Sequence, residues 1–171
     1  MAYGGGAMSF ADKMRVWMPL HENGVSRGVH FVGAYLFTFA LLVPLCWVRV
    51  PGTPLTAAHL LVAAVAVYAM TLEWTAGLLM ALPLIPTLLA AETVSRLPTG
   101  TAAGIAVGVM VFRFALVVGA HVVFEKKTHG LSLGGPLLFF IEPVYLLTLV
   151  LFALGFKQDL RARVASTTAG A

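Results

Sequence analysis

The sequence predicts an all-α integral membrane protein, a single membrane domain over residues 1–171, with four transmembrane helices, an N-terminal interfacial helix and a broken C-terminal hydrophobic hairpin. Three observations predict it. Hydrophobic residues make up 60% of the chain and charged residues 11%, against about 45–50% and about 25% in soluble domains. The mean hydropathy is +0.93, so most side chains must face one another or lipid, which excludes both a soluble globule and a disordered chain. The apolar residues also fall into runs close to the roughly 20 residues that a membrane-spanning helix needs. The formal charge of +4 comes from Lys and Arg scattered in small groups between these runs. That is the pattern of membrane flanks, and nucleic acid is excluded as a partner. Cys46, the single cysteine, allows no intramolecular disulfide and no cysteine metal cluster.

Taken in order, Phe10, Met14, Trp17 and Met18 recur at helical spacing while Asp12, Lys13 and Arg15 point elsewhere, which describes a short helix in the interface plane. Pro19 ends or bends it. Asn23-Gly24 signals a turn, and Ser26 is the candidate N-cap of the first span. The spans are expected over Val29 to Val48, Leu55 to Leu72, Gly77 to Val94 and Ala102 to Phe124. A fifth apolar run, Leu133 to Phe156, is opened by Gly134-Gly135-Pro136 and interrupted at Glu142-Pro143, so it reads as two half-helices that enter and leave on one side. That arrangement leaves only Arg49 and Arg96 among the flanking cations on the far side. The positive-inside rule then puts both termini in the cytoplasm, at the endoplasmic reticulum in a eukaryote or the inner membrane in a bacterium. Gly100, Gly104 and Gly108 repeat every fourth residue. The repeat suits either a homo-oligomer interface or close packing within the chain, and packing within the chain is the expectation.

With this topology the polar residues sort by side. His21 precedes the first span, His30 lies at its start, and His121 with Glu125 lies at the end of the fourth; His129 follows in the next loop, while His59 falls on the opposite side. His121 and Glu125, four apart, project from one face of a helix with about 6 Å of rise between them. Burying several imidazoles and a carboxylate at one apolar boundary is costly without a shared partner. Imidazole and carboxylate donors with open positions suit a divalent transition metal, favouring non-haem Fe(II), and Zn(II) takes the same donors. Glu142 is a functional candidate because it lies within an apolar run. Arg113, about 12 Å along the helix from His121, is expected to pair with a carboxylate.

The segment His21-Glu-Asn23-Gly-Val-Ser-Arg27-Gly-Val-His30-Phe-Val-Gly33 resembles the H-x-N-x3-R-x2-H-x2-G signature of the small membrane protein family typified by the yeast 2-hydroxy fatty acid dioxygenase of phytosphingosine breakdown. Gly119-Ala-His121-Val-Val-Phe124-Glu125-Lys126 resembles its G-H-x2-F-E-K motif, and Pro136 followed by Glu142 matches a third element. The resemblance implies an Fe(II)-dependent dioxygenase that uses O2 as co-substrate to shorten a 2-hydroxy fatty acid by one carbon. It implies His21, His30 and His121 as metal residues, supported by Asn23, Arg27, Glu125 and Glu142. The chain departs from the family at Ala120, where a glycine stands, at Val117, where a glutamine stands, and at His129, where a proline stands. His129 is therefore the expected fourth ligand, and Glu125 is left to orient a ligand or serve as the catalytic base.

Two functions follow as expectations. The first is a membrane oxygenase acting on a lipid-derived 2-hydroxy acid that reaches the metal from the bilayer. The second, from another class, is a non-enzymatic proton-coupled carrier or assembly subunit in which Glu73, Arg113 and Glu142 form a relay.

Overall fold

The computed structural model describes residues 9–126 and 138–166. His129, Lys127 and Gly134-Gly135-Pro136 lie outside the described residues. Helix α1, Phe10–Trp17, begins at a capping box in which Ser9 and Asp12 satisfy each other's backbone N–H groups. The apolar face expected from spacing forms, with Ala11, Met14 and Trp17 buried. It is not left open to lipid: Tyr145, Leu146, Phe152, Leu160 and Val164 cover it.

Helix α2, Gly24–Leu45, starts earlier than expected. Asn23, and not Ser26, caps it, because the Asn23 side-chain oxygen accepts from Val25 N (2.8 Å) and Ser26 N (3.3 Å). Ser26 is instead buried within the first turn. Helix α3, Ala57–Leu72, has 16 residues, a length of about 24 Å, against a hydrocarbon core of about 30 Å. Helix α4 is Trp74–Ser95. Glu73 caps it, accepting from Ala76 N at 2.7 Å while also pairing with Lys157 at 2.8 Å. Helix α5, Thr99–Ala120, runs straight into a π turn, His121–Glu125, that Lys126 ends in the left-handed conformation. Three of these segments, Gly24–Leu45, Trp74–Ser95 and Thr99–Glu125, are long and apolar enough to cross a membrane.

Helix α6, Leu138–Ala153, corrects one expectation. It passes through Glu142-Pro143 without a break, and the chain turns instead at Gly155 (φ 86°) and Lys157 (φ 55°), where a left-handed backbone forces a change of direction. Helix α7, Gln158–Ala165, follows, and the two meet at 110°. A proline near a helix start gives up a hydrogen bond that few residues precede, whereas two positive φ values cannot be absorbed by an α-helix. If the bent pair counts as one span, the total rises to four.

Helix α2 is the hub, packed by α5, α4 and α6. Helix α6 runs antiparallel to its first half: Phe140 meets Phe37 at 5.5 Å between ring centroids, and Glu142 meets His30. Two ends of the bundle are thereby distinguished. Leu42, Val43, Cys46, Ala58, Ala91 and Ala102 pack at the end away from His30. His59 belongs there, 3.3 Å from Glu92, as expected.

The glycines divide sharply. A Cβ on Gly77 would sit 2.5 Å from the Ala69 carbonyl carbon and the Met70 nitrogen, so α3 and α4 touch backbone to backbone. Gly77→Ala is expected to lower stability by about 1–3 kcal/mol, because rigid backbone must move; thermal unfolding in detergent checks it. By contrast, a Cβ on Gly100, Gly104 or Gly108 would meet nothing within 4 Å. The expectation that this repeat packs within the chain is overturned: it lies on an outward face of α5, which no other described helix crosses.

Candidate metal centre

Each of the three histidines arrives by a different local device. His21 follows a short 3-10 turn, Met18–Leu20, that Pro19 starts. His30 lies on α2, two turns in, and His121 opens the π turn at the end of α5. All three are buried. Ring centroids are 4.4 Å apart for His21 and His30, 4.8 Å for His30 and His121, and 5.5 Å for His21 and His121. One ligand atom from each lies within 4.8 Å of the others. Two nitrogens bound to one ion at about 2.0–2.1 Å lie at most about 4.2 Å apart, so the rings are gathered slightly wider than a loaded site requires.

The outer nitrogens show which lone pairs are free. His21 Nδ1 lies 3.2 Å from the Trp17 carbonyl, which can only accept, so Nδ1 carries the proton and Nε2 the lone pair. His30 Nδ1 lies 3.2 Å from Glu142 Oε2, which orders that ring in the same way. His21 Nε2, His30 Nε2 and His121 Nδ1 are buried without a hydrogen-bond partner. Three orphaned imidazole nitrogens in one dry space are costly by themselves and fit a shared divalent transition ion. Glu142 borders the space as well, with Oε1 3.9 Å from His21 Nε2.

The supporting contacts tie the first motif to the second. Arg27 Nε donates to the His21 carbonyl at 2.7 Å, and the Glu125 carboxylate accepts from Glu22 N (3.3 Å) and Asn23 N (3.1 Å). The π turn matters for this. Adding a residue to the turn swings Glu125 away from the position four places after His121 would give it on an α-helix. His121 therefore faces the triad, while Glu125 reaches the start of α2. Sequence reasoning missed Trp17, whose ring stacks on His21 at 4.3 Å. Its place four residues before His21, on the face of α1 that carries Met14, was the available signal.

Burial, together with the neighbouring His30 ring, pushes His21 down to about 4. The ring is thus neutral, with a free lone pair, at ordinary pH. An unfolded histidine takes its proton near 6.5, so the stability contributed by neutral His21 is complete above about pH 6.5 and is lost as pH falls toward 4. Thermal unfolding of the metal-free protein is expected to move down across that window and to be flat in pH above it.

The remaining candidates fall elsewhere. Arg113 is buried at the level of Gly33, its guanidinium over the rings of Phe37 (5.3 Å) and Phe114 (4.9 Å). Glu73 caps α4 and pairs with Lys157. No curated protein and no solved structure matches the chain. The family model described as 2-hydroxy-palmitic acid dioxygenase Mpo1-like matches residues 7–154, which include His21, His30, His121 and Glu142, and the chain belongs to that family.

Proposed function

We propose that this protein is an integral membrane, Fe(II)-dependent dioxygenase that uses O2 to shorten a lipid-derived 2-hydroxy acid by one carbon. The observation that carries the reading is the set of three buried histidines that each keep a ring nitrogen without a hydrogen-bond partner and each offer a ligand atom within 4.8 Å of the others. His21, His30 and His121 would hold the metal, with His129 as fourth ligand. When bound, Fe(II) supplies the redox chemistry that makes O2 reactive toward the substrate.

The chain's own residues prepare the place for it. Glu142 fixes the tautomer and orientation of His30 by accepting its Nδ1 proton. The Trp17 carbonyl does the same for His21, and Arg27 fixes the His21 backbone. Both Glu125 oxygens are engaged by backbone N–H groups. In this reading Glu125 positions the His21 segment, and service as a base would require it to let go of the α2 start. Burial of the triad keeps water from reactive species.

Charge supports the orientation with both termini in the cytoplasm. Arg15 donates to the carbonyls of Val164 and Arg163, which brings the charged ends of α1 and α7 together beside Arg27, while Arg49 and Arg96 flank the opposite end of the bundle. The membrane is the endoplasmic reticulum in a eukaryote or the inner membrane in a bacterium. The test is metal analysis of the purified protein combined with O2 uptake on 2-hydroxypalmitate. Iron at one equivalent per chain with substrate-dependent uptake is expected, and a protein that retains no transition metal would sink the reading.

A further inference from the structure

Helices α2 and α6 carry more than His30 and Glu142. Beyond that pair they part into an apolar groove of about 430 Å³ lined by Arg27, Gly28, Phe31, Leu146, Leu149 and Val150. A second cavity of about 530 Å³ shares Arg27, Leu149 and Ala153 with it and adds Arg15 and Arg161. Each volume lies in the range of a small-molecule site. The two share these walls, are mostly apolar, and are cationic where Arg15, Arg27 and Arg161 line them. No acidic residue lines either part among the described residues.

We infer that this groove is the binding site of a single-chain, long-chain carboxylic acid, with the hydrocarbon against Phe31, Leu146, Leu149 and Val150 and the carboxylate on Arg27. The inference rests on the proposed function and specifies where its substrate lies. Three observations carry it. Charge complementarity favours an anion: Arg15 is neutralised by Asp12, but Arg27, anchored through Nε to the His21 carbonyl, and Arg161 line the site with no acidic residue among its described lining residues. Location favours the substrate over a bystander lipid. Phe31 follows His30 on α2 and Leu146 is one helical turn from Glu142 on α6, so the groove lies between the two helices that carry His30 and Glu142. Finally, Gly28 lies inside a helix, where glycine costs about 1 kcal/mol relative to alanine, yet a Cβ there would meet nothing within 4 Å. Packing among the described residues does not require that glycine, whereas an acyl chain lying across it would.

The test is photolabelling of the purified, detergent-solubilised protein with 2-hydroxyhexadecanoic acid bearing a terminal diazirine, with the labelled residues mapped by mass spectrometry. Label is expected on the α2 and α6 walls, suppressed about tenfold or more by excess 2-hydroxypalmitate and unchanged by phosphatidylcholine. Gly28→Trp is expected to reduce labelling by a similar factor while leaving metal content and thermal unfolding unchanged. Leu149→Trp on the facing wall does the same job if that variant fails to fold. Label concentrated on the outward faces of α4 and α5, or displaced by phosphatidylcholine but not by the hydroxy acid, overturns the inference. Groove labelling without O2 uptake would leave an acid-binding site standing and remove the dioxygenase reading; O2 uptake with label elsewhere would do the reverse.

Discussion

His30→Ala is expected to abolish metal retention and reduce O2 uptake by more than about 100-fold, beyond the 10–100-fold typical of residues that merely support a ligand. The expectation follows from what His30 holds at both ends. One ring nitrogen is buried and unpartnered, and the other meets Glu142 Oε2 at 3.2 Å. Removing the ring takes away one of three gathered donors and strands a buried carboxylate. Stranding a buried charge is destabilising by itself, so loss of activity must be separated from loss of fold. Metal content per chain, read beside thermal unfolding and gel filtration in the same detergent, makes that separation. His30→Ala protein that stays folded and keeps a full equivalent of metal would show that His30 is not a ligand.

The second large effect belongs to Glu142. Glu142→Gln keeps an oxygen that can accept from His30 Nδ1 but gives up the charge, and is expected to weaken metal binding about 10–100-fold with the fold intact. Glu142→Ala goes further, because it leaves the His30 donor buried without an acceptor, at an expected cost of about 1–3 kcal/mol. Chelator competition gives the first number and thermal unfolding the second. A Glu142→Gln protein with unaltered affinity would mean that Glu142 helps to hold the helices together without tuning the ligand.

The triad was legible because it depends on topology more than on detail. His21 and His30 flank the start of one hydrophobic run and His121 ends another, so an odd number of further crossings after the first span suffices to bring them to the same end. Contacts between side chains distant in sequence were not legible. His30 and Glu142 are 112 residues apart and Asn23 and Glu125 are 102 apart, and no periodicity reports which turn of α6 faces α2. Local backbone competition accounts for two further misses. Asn23 outcompetes Ser26 as a cap because its side-chain oxygen reaches both N–H groups of the first turn. Glu142-Pro143 looks like the weak point of the last apolar run, but Gly155 and Lys157 adopt the left-handed backbone that ends α6. The outward-facing Gly100, Gly104 and Gly108 show a third limit, since the same spacing serves a packed helix or an open one.

Helix α7 carries none of the three histidines, and it lies beyond residue 154, where the family match stops. Its Leu160 and Val164 nevertheless cover α1, whose Trp17 carries the ring that stacks on His21. The last described turns of the chain thus brace His21 near its beginning. A protein engineer who trimmed the gene at the edge of the matched region would retain every histidine and still leave the first helix, and with it the segment that holds His21, unmoored. Surveys of relatives that align only the matched portion would for the same reason overlook the covariation that should tie Leu160 and Val164 to Met14 and Trp17.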